Sequence, residues 1–187
     1  LIKVNKKSLY VLKISNTLES KNFLEMQDFL LTNLNSRASI KDFIPKKIHS
    51  TLNIYKDEIG RSCYVRILSY IEGQIYAKSK SSKELELSLG SLLGNLSKEL
   101  QNLGHASSFR KFEWDPSSID WIKKDTNLFK GKRKTIINNN FQEYEYFVKK
   151  NKNNLRYSLT HGDANNYNLV VKKNKIIGLL DFGDMIF

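Results

Sequence analysis

Apolar residues near the start of the chain alternate with the period of a β-strand. Residues 8–14 are mostly β-branched, aromatic or aliphatic, and the alternation places Leu9, Val11 and Lys13 on one face of the predicted strand. A lysine on an otherwise apolar strand face is conspicuous. From residue 17 to residue 34 the apolar positions recur at near-helical spacing, so the pattern predicts a strand followed by a helix.

Two further apolar runs predict an antiparallel hairpin. Residues 48–56 and 62–70 are rich in β-branched and aromatic residues, and residues 57–61 between them have the composition and length of a turn. We expect the chain to leave this sheet at about Glu72 and Gly73, because the apolar period soon changes from that of strands to that of helices.

Leucines form the most regular helical pattern of the sequence, which starts at Ser81 and ends before Gly104. Ser81 and Glu84 have the spacing of a capping box, and Gly104 is placed where a C-cap glycine is expected. For the earlier helix, Asn16 or Thr17 is available as N-cap, because either side chain can accept a hydrogen bond from a free backbone amide. The sequence therefore predicts two helices with defined ends.

A second apolar stripe lies in the later, aromatic-rich part of the chain. Its members recur at helical spacing, and they are Ile136, Ile137, Phe141, Tyr144, Phe147 and Val148. Aromatic stripes of this kind usually pack into a core, and we expect the same here. Two short strands, 168–172 and 175–180, are then predicted around a turn at residues 173–174. This order of elements indicates two lobes with a cleft.

Charge and composition argue against several classes of protein. The chain has 187 residues and a formal net charge of +12, but its lysines are scattered and do not form the basic stripe with interleaved aromatics that nucleic-acid binding favours. No segment approaches the ~20 apolar residues of a membrane span. Cys63 is the only cysteine, which excludes an intrachain disulfide and fits a cytoplasmic location. We therefore expect binding to neither nucleic acid nor membrane.

The candidate chemistry lies near the C-terminal end of the sequence. Asp163 follows His161 and Gly162, Asn168 comes five residues after Asp163, and Asp181 opens an Asp-Phe-Gly segment thirteen residues further on. Phosphoryl transfer needs a carboxylate that orients the attacking hydroxyl or accepts its proton, and oxygen ligands that hold Mg²⁺ on the nucleotide phosphates. Asp163 suits the first role, while Asn168 and Asp181 suit the second. A loop followed by a hairpin would bring the three side chains together.

Other interpretations of these residues are weaker. Asp163 and Asn168 could merely belong to a polar turn, where Asp and Asn are favoured, but both parts of the pattern occur in this order with apolar strands between them. A zinc site is not expected, since His49 and His105 are the only other histidines and no cysteine partner exists for His161. We assign His161 a structural role. A Ser or Cys nucleophile is not expected, because its usual sequence surroundings are missing.

On these motifs the sequence resembles the aminoglycoside phosphotransferase and choline kinase group, whose two-lobed fold is related to that of protein kinases. Segments 159–165 and 178–185 are similar to the catalytic loop and the Mg²⁺-binding segment of that group. Together with segments 10–16 and 65–68, they are most similar to its hydroxylysine-kinase-like branch. That branch also occurs fused to aminotransferase modules, so the resemblance implies such a fusion as one possibility for the full-length protein.

The resemblance implies further roles in nucleotide binding. Lys13 is expected to contact the phosphates and Val11 to pack against the adenine; the alternative for Lys13 is a surface lysine whose charged end reaches solvent. The carboxylate partner of Lys13 is expected to be Glu25 in the following helix, with Gln27 as the alternative at the equivalent position. The hinge between the lobes, which offers backbone groups to the adenine, is expected at Ser69, Tyr70, Ile71 and Glu72.

The resulting hypothesis is an α+β, protein-kinase-like fold of two lobes. Residues 1–72 are expected to form a small antiparallel, nucleotide-binding sheet lobe with the hinge, and residues 73–187 a mainly helical catalytic lobe. Relative to the group, the fold is expected to be truncated at both ends. The predicted reaction transfers the γ-phosphoryl group of ATP (or GTP), with Mg²⁺, to a hydroxyl of a metabolite such as hydroxylysine or another amino alcohol. The alternative is a non-catalytic nucleotide-binding module of a larger fused enzyme.

Overall fold

The computed structural model describes residues 2–4, 8–49 and 52–187 of the chain. The side chains of residues 2–4, 8 and 116–118 lie outside this description. Within the described part, no helix combines the length and the apolar character that crossing a membrane would require.

The chain forms two compact units. The first contains Leu1–Phe109 and Ser158–Phe187, and the second contains Arg110–Tyr157. The predicted boundary after residue 72 falls inside the first unit, between its two sheets. The division into two lobes at that residue stays a prediction.

Four antiparallel strands form the first sheet. In chain order they are Ile2–Val4 (β1), Ser8–Ile14 (β2), Asn53–Lys56 (β3) and Ser62–Ser69 (β4). Their order in the sheet is β1-β2-β4-β3, and the register places Lys13 opposite Arg66 and Val11 opposite Leu68. The predicted strand at 8–14 and the predicted hairpin are confirmed, although the first strand of that hairpin is shorter than expected and residues 50–51 of its predicted range lie outside the described part.

The turn between β3 and β4 is held by a single aspartate. Asp57 Oδ1 accepts hydrogen bonds from the backbone amides of Ile59 (3.1 Å) and Arg61 (2.8 Å). Gly60 has φ +80°, which a residue with a side chain rarely adopts. This local chemistry explains why the turn could be predicted from residues 57–61.

The first helix, α1, spans Lys21–Asn35 and begins later than predicted. Its N-cap is Ser20, whose hydroxyl accepts from the Phe23 amide at 3.3 Å. The predicted caps at Asn16 and Thr17 are wrong, because Asn16 Oδ1 accepts from the amides of residues 18 and 19 and closes a separate turn before the helix.

The second helix, α2, spans Lys83–Leu100 and is the leucine-rich helix that was predicted. Its N-cap is Ser82, which accepts from the amide of Leu85 at 3.2 Å. The predicted capping box at Ser81 and Glu84 is therefore displaced by one residue. The predicted C-cap at Gly104 is also wrong, because the helix ends at Leu100 with Gln101 as its cap.

The second sheet carries the end of the chain. Its antiparallel strands are Gln74–Ile75 (β5), Leu169–Lys172 (β6) and Lys175–Leu179 (β7), in the order β5-β6-β7. The turn residues Lys173 and Asn174 have φ of 51° and 56°, as a two-residue hairpin turn requires. The hairpin is confirmed, whereas the two-residue β5 is too short for periodicity to reveal.

One apolar cluster joins α1, α2 and the β6–β7 hairpin. Its members with at most 1% exposure include Met26, Leu30, Leu34, Leu85, Leu100, Leu169, Ile176 and Leu179. Each such side chain contributes roughly 1.5–3 kcal/mol through burial. Leu159, Phe182 and Met185 belong to the same cluster, so the segments on both sides of the hairpin are anchored to it.

The Arg110–Tyr157 unit is built differently. It contains a 3₁₀ helix at Pro116–Leu128 and the helix α3 at Gly131–Tyr144, which continues as a π-helical turn at Glu145–Lys149. None of the described side chains of α3 is buried, and Ile136 is 60% exposed. The expectation that the aromatic stripe forms a core is therefore not met: its members are half-buried or exposed, and Lys123 Nζ lies 5.8 Å from the centre of the Phe141 ring.

Candidate active site

The loop before β6 fixes the carboxylate of Asp163 from both sides. Asn165 Nδ2 donates to Asp163 Oδ1 at 2.7 Å, and Asn168 Nδ2 donates to Asp163 Oδ2 at 2.8 Å. The same Asn168 amide also donates to the backbone carbonyl of Asp163 at 2.9 Å. Since each carboxylate oxygen has further lone pairs, Asp163 is oriented without losing its capacity to accept a proton.

His161 ties this loop to the end of β7. Its Nδ1 accepts from the Asp163 backbone amide (3.2 Å), and its Nε2 lies 3.1 Å from the Leu180 carbonyl oxygen. A carbonyl oxygen can only accept, so Nε2 carries the proton and the imidazole is neutral. Burial lowers the pKa of His161 below its ordinary value, although the Leu180 carbonyl and the charges of Asp163 and Asp181 oppose this effect.

Backbone contacts hold Asn168 and the residues after β7 together. The amide of Leu180 donates to the carbonyl of Asn168 at 2.7 Å, immediately before Asp181. Gly162 has φ +78°, and a Cβ at this position would collide with the carbonyl oxygen of Asp184. The two loops are thus in close backbone contact, which a residue larger than glycine at position 162 would prevent.

Lys13 and Asp181 form an ion pair. Lys13 Nζ lies 2.9 Å from Asp181 Oδ1, although the two residues are 168 positions apart in the sequence. Burial alone would raise the pKa of Asp181, but the hydrogen bond and charge of Lys13, together with the Gly183 amide and His161, lower it below its ordinary value. Asp181 has φ 54°, so its backbone adopts the left-handed conformation at this point.

Most of the predicted site residues line one cleft of about 240 Å³. They are Val11, Lys13, Ser69, Tyr70, Ile71, Asn168 and Asp181. Asp163 adjoins this cleft through its hydrogen bonds with Asn168. Pro45, Leu68 and Leu180 complete the apolar part of the wall and were not among the predicted site residues. Leu68 lies opposite Val11 in the pairing of β2 and β4.

Glu25 is the predicted site residue that the structure does not bring to Lys13. Its carboxylate forms an ion pair with Lys21 (3.3 Å), one turn earlier on the exposed face of α1. The buried face of the helix instead presents Gln27 and Asp28, since two or three residues along a helix lead to another face. The expected Lys13–Glu25 pair is therefore absent, and Lys13 bonds to Asp181.

The side chains in the cleft suit a magnesium ion bound together with a nucleotide. Among the described residues, no group of three or more His, Cys, Asp and Glu side chains is placed to hold a metal. Mg²⁺ commonly takes only one or two protein ligands, and phosphates and water supply the remainder. Asn168 and Asp181 provide two such groups, because Asn168 uses its Nδ2 on Asp163 and keeps its amide oxygen for a cation.

The sequence as a whole matches a family model and several curated proteins. The model of the family described as the phosphotransferase enzyme family matches residues 3–186. Hydroxylysine kinase from Xenopus laevis is 29% identical over 201 residues, which cover 95% of this chain and 54% of the relative. Hydroxylysine kinase from Mus musculus is 27% identical over 198 residues, which cover 95% and 53%. The chain spans about half the length of the curated relatives it matches.

Comparison with solved structures supports the fold. An amicoumacin kinase, described in complex with AMP-PNP, Ca²⁺ and Ami, matches with a TM-score of 0.67 at 16% identity over 97% of this chain and 54% of that chain. A microcompartment-associated aminopropanol kinase matches with a TM-score of 0.65 at 17% identity over 96% and 59%. These likenesses confirm the predicted α+β, protein-kinase-like fold.

Proposed function

Because the chain belongs to the phosphotransferase enzyme family, we propose that the protein transfers the γ-phosphoryl group of ATP or GTP to a hydroxyl of a small metabolite. Hydroxylysine and other amino alcohols are the first candidate acceptors, since the curated relatives are hydroxylysine kinases. The observation that carries this proposal is that Lys13, Asn168 and Asp181 line one cleft, with Asp163 hydrogen-bonded to Asn168 beside it.

In this mechanism Asp163 orients the acceptor hydroxyl and takes its proton. The side-chain amides of Asn165 and Asn168 hold its carboxylate, so the orientation of the carboxylate is fixed before the acceptor hydroxyl binds. Asn168 and Asp181 would hold Mg²⁺, which supplies charge neutralisation at the phosphates when bound. Both residues already line the cleft in the structure described above.

The nucleotide is proposed to lie along the cleft. Its base would contact the apolar wall, where Val11, Leu68 and Leu180 lie, and the backbone of residues 69–71 would offer hydrogen bonds to the base. Lys13 would contact the phosphates. In the structure described above Lys13 is bonded to Asp181, so nucleotide binding must exchange this carboxylate for phosphate oxygens.

A substrate screen tests the proposal. Purified protein is incubated with Mg²⁺ and either ATP or GTP, and the release of nucleoside diphosphate is measured with hydroxylysine, ethanolamine, aminopropanol and an aminoglycoside as acceptors. We expect acceptor-dependent release that EDTA abolishes. Binding of Mg-nucleotide by titration calorimetry without turnover of any acceptor would instead indicate a non-catalytic nucleotide-binding module.

A further inference from the structure

A second cavity, of about 360 Å³, shares Lys13 and Asp181 with the cleft. Its wall differs from that of the cleft because polar side chains dominate it, including Glu19, Gln27 and Arg66. Lys13 and Arg66 lie opposite each other on β2 and β4, so two cations face the cavity from neighbouring strands. Glu19 and Asp181 line the same cavity, so an anionic group of a ligand would gain Lys13 when it replaces Asp181.

Gln27 is the unusual member of this wall. The residue is only 3% exposed, and its Nε2 has no hydrogen-bond partner in the described part of the structure. A buried amide donor without an acceptor destabilises the fold, and such groups are rare in native proteins. Asn35, another buried amide with an unpartnered atom, differs because its Nδ2 donates to the carbonyls of Leu31 and Pro45.

The acids in the wall do not satisfy Gln27. Glu19 Oε2 accepts from the backbone amide of Asn16 at 3.0 Å, and Asp181 is bonded to Lys13. Arg66 approaches Asp28, with 3.5 Å between Nη1 and Oδ1. Since no described residue supplies an acceptor to Gln27 Nε2, this donor is available to an acceptor oxygen of a ligand.

We propose that Gln27 is a phosphate-binding residue whose Nε2 donates to a phosphate oxygen of the nucleotide. This inference rests on the proposed function for the identity of the ligand, and it adds a residue of α1 to the site. When phosphates displace Asp181 from Lys13, they bring acceptor oxygens to the wall that Gln27 shares with both residues. The buried donor is then explained as a group that is satisfied only in the complex.

Two substitutions at one position test the role of the donor. Gln27→Met removes the amide at similar volume, and Gln27→Glu replaces the donor with a carboxylate acceptor. Gln101→Met, at an exposed position, is the matched control. Binding of Mg-ATP, inorganic pyrophosphate and adenosine is measured by titration calorimetry, and the thermal unfolding of each variant without ligand is recorded.

We expect Gln27→Met to weaken binding of Mg-ATP and pyrophosphate about tenfold or more, as when a hydrogen bond to a charged group is lost, and to leave adenosine binding within about twofold. Its unfolding temperature should equal or exceed that of the wild type, because an unpaired buried donor has been removed. Gln27→Glu should bind both phosphates still more weakly because of charge repulsion, and Gln101→Met should behave as the wild type.

Equal affinities of the wild type and Gln27→Met for Mg-ATP and pyrophosphate would overturn the inference, as would a wild type that binds neither compound. Recovery of affinity in Gln27→Glu would also overturn it, because Gln27 would then act as an acceptor for Lys13. A different outcome would contradict the proposed function alone. If pyrophosphate binding depends on Gln27 but no alcohol is phosphorylated, the phosphate site is supported and the kinase activity is excluded.

Discussion

Two adjoining stretches of the chain, Arg110–Tyr157 and Ser158–Phe187, have comparable apolar patterns but very different burial. In the first, Ile136 and Phe147 are each 60% exposed. In the second, Leu169, Ile176 and Leu179 are at most 1% exposed and pack with α2 in the central cluster. Periodicity therefore identifies the apolar face of an element, but only a second layer of structure makes that face a core.

The largest expected difference between the two stretches is catalytic. Asp163→Asn removes the proposed base while keeping the shape of the side chain, and we expect turnover to fall by about 10²–10⁴-fold with nucleotide affinity little changed. The measurement is nucleoside diphosphate release at saturating acceptor. Asp120→Asn, the same exchange at an exposed position of the other stretch, should keep the wild-type rate; retained turnover in Asp163→Asn would refute the assignment.

The next difference concerns packing. Leu179→Ala leaves a cavity beneath β7, and we expect it to lower the free energy of unfolding by about 2–5 kcal/mol. Ile136→Ala removes an exposed side chain of α3 and should change the free energy of unfolding by less than about 0.5 kcal/mol. Urea denaturation of both variants measures the contrast, and similar losses would contradict the exposure of the Ile136 side chain.

Glycines with positive φ allow a finer comparison. Gly162 (φ +78°) lies against the Asp184 carbonyl. At Gly131 (φ +55°), by contrast, an added Cβ would have no atom within 4 Å. We expect Gly131→Ala to cost about 1 kcal/mol of unfolding free energy for backbone strain alone, and Gly162→Ala at least about 2 kcal/mol because a steric collision is added. Thermal unfolding ranks the two; equal shifts would contradict the close contact between the two loops.

The smallest expected effect is a pH dependence of stability, which comes from His161 in the stretch Ser158–Phe187. The folded-state pKa of His161 lies below its ordinary value of 6.5, so the folded state favours the neutral ring. The resulting stability is complete above about pH 6.5 and is lost as the pH falls towards the folded-state pKa, because the unfolded chain binds the proton first.

We expect the free energy of unfolding to be lower at pH 5.5 than at pH 7.5 by up to about 1.4 kcal/mol, measured by thermal unfolding at the two pH values. His161→Gln should reduce this loss, and Arg110–Tyr157 contributes no histidine to it. An unchanged pH dependence in the variant would show that His161 is not its source.

Sequence alone determined the parts of this protein that depend on neighbours in the chain. The hairpin turns at 57–61 and 173–174, the strand at 8–14, the leucine-rich helix and the order of Asp163, Asn168 and Asp181 are properties of short segments. Their residue types impose local backbone conformations, so they could be predicted without knowledge of the rest of the fold.

Tertiary structure decided everything that depends on which elements meet. Lys13 pairs with Asp181, 168 positions away, and not with Glu25, because helical phase places Glu25 on the exposed face of α1. The same packing buries Gln27, whose Nε2 has no hydrogen-bond partner among the described residues, while no described side chain of α3 is fully buried. Such outcomes follow from the relative positions of layers, which a one-dimensional pattern of apolar and polar residues does not contain.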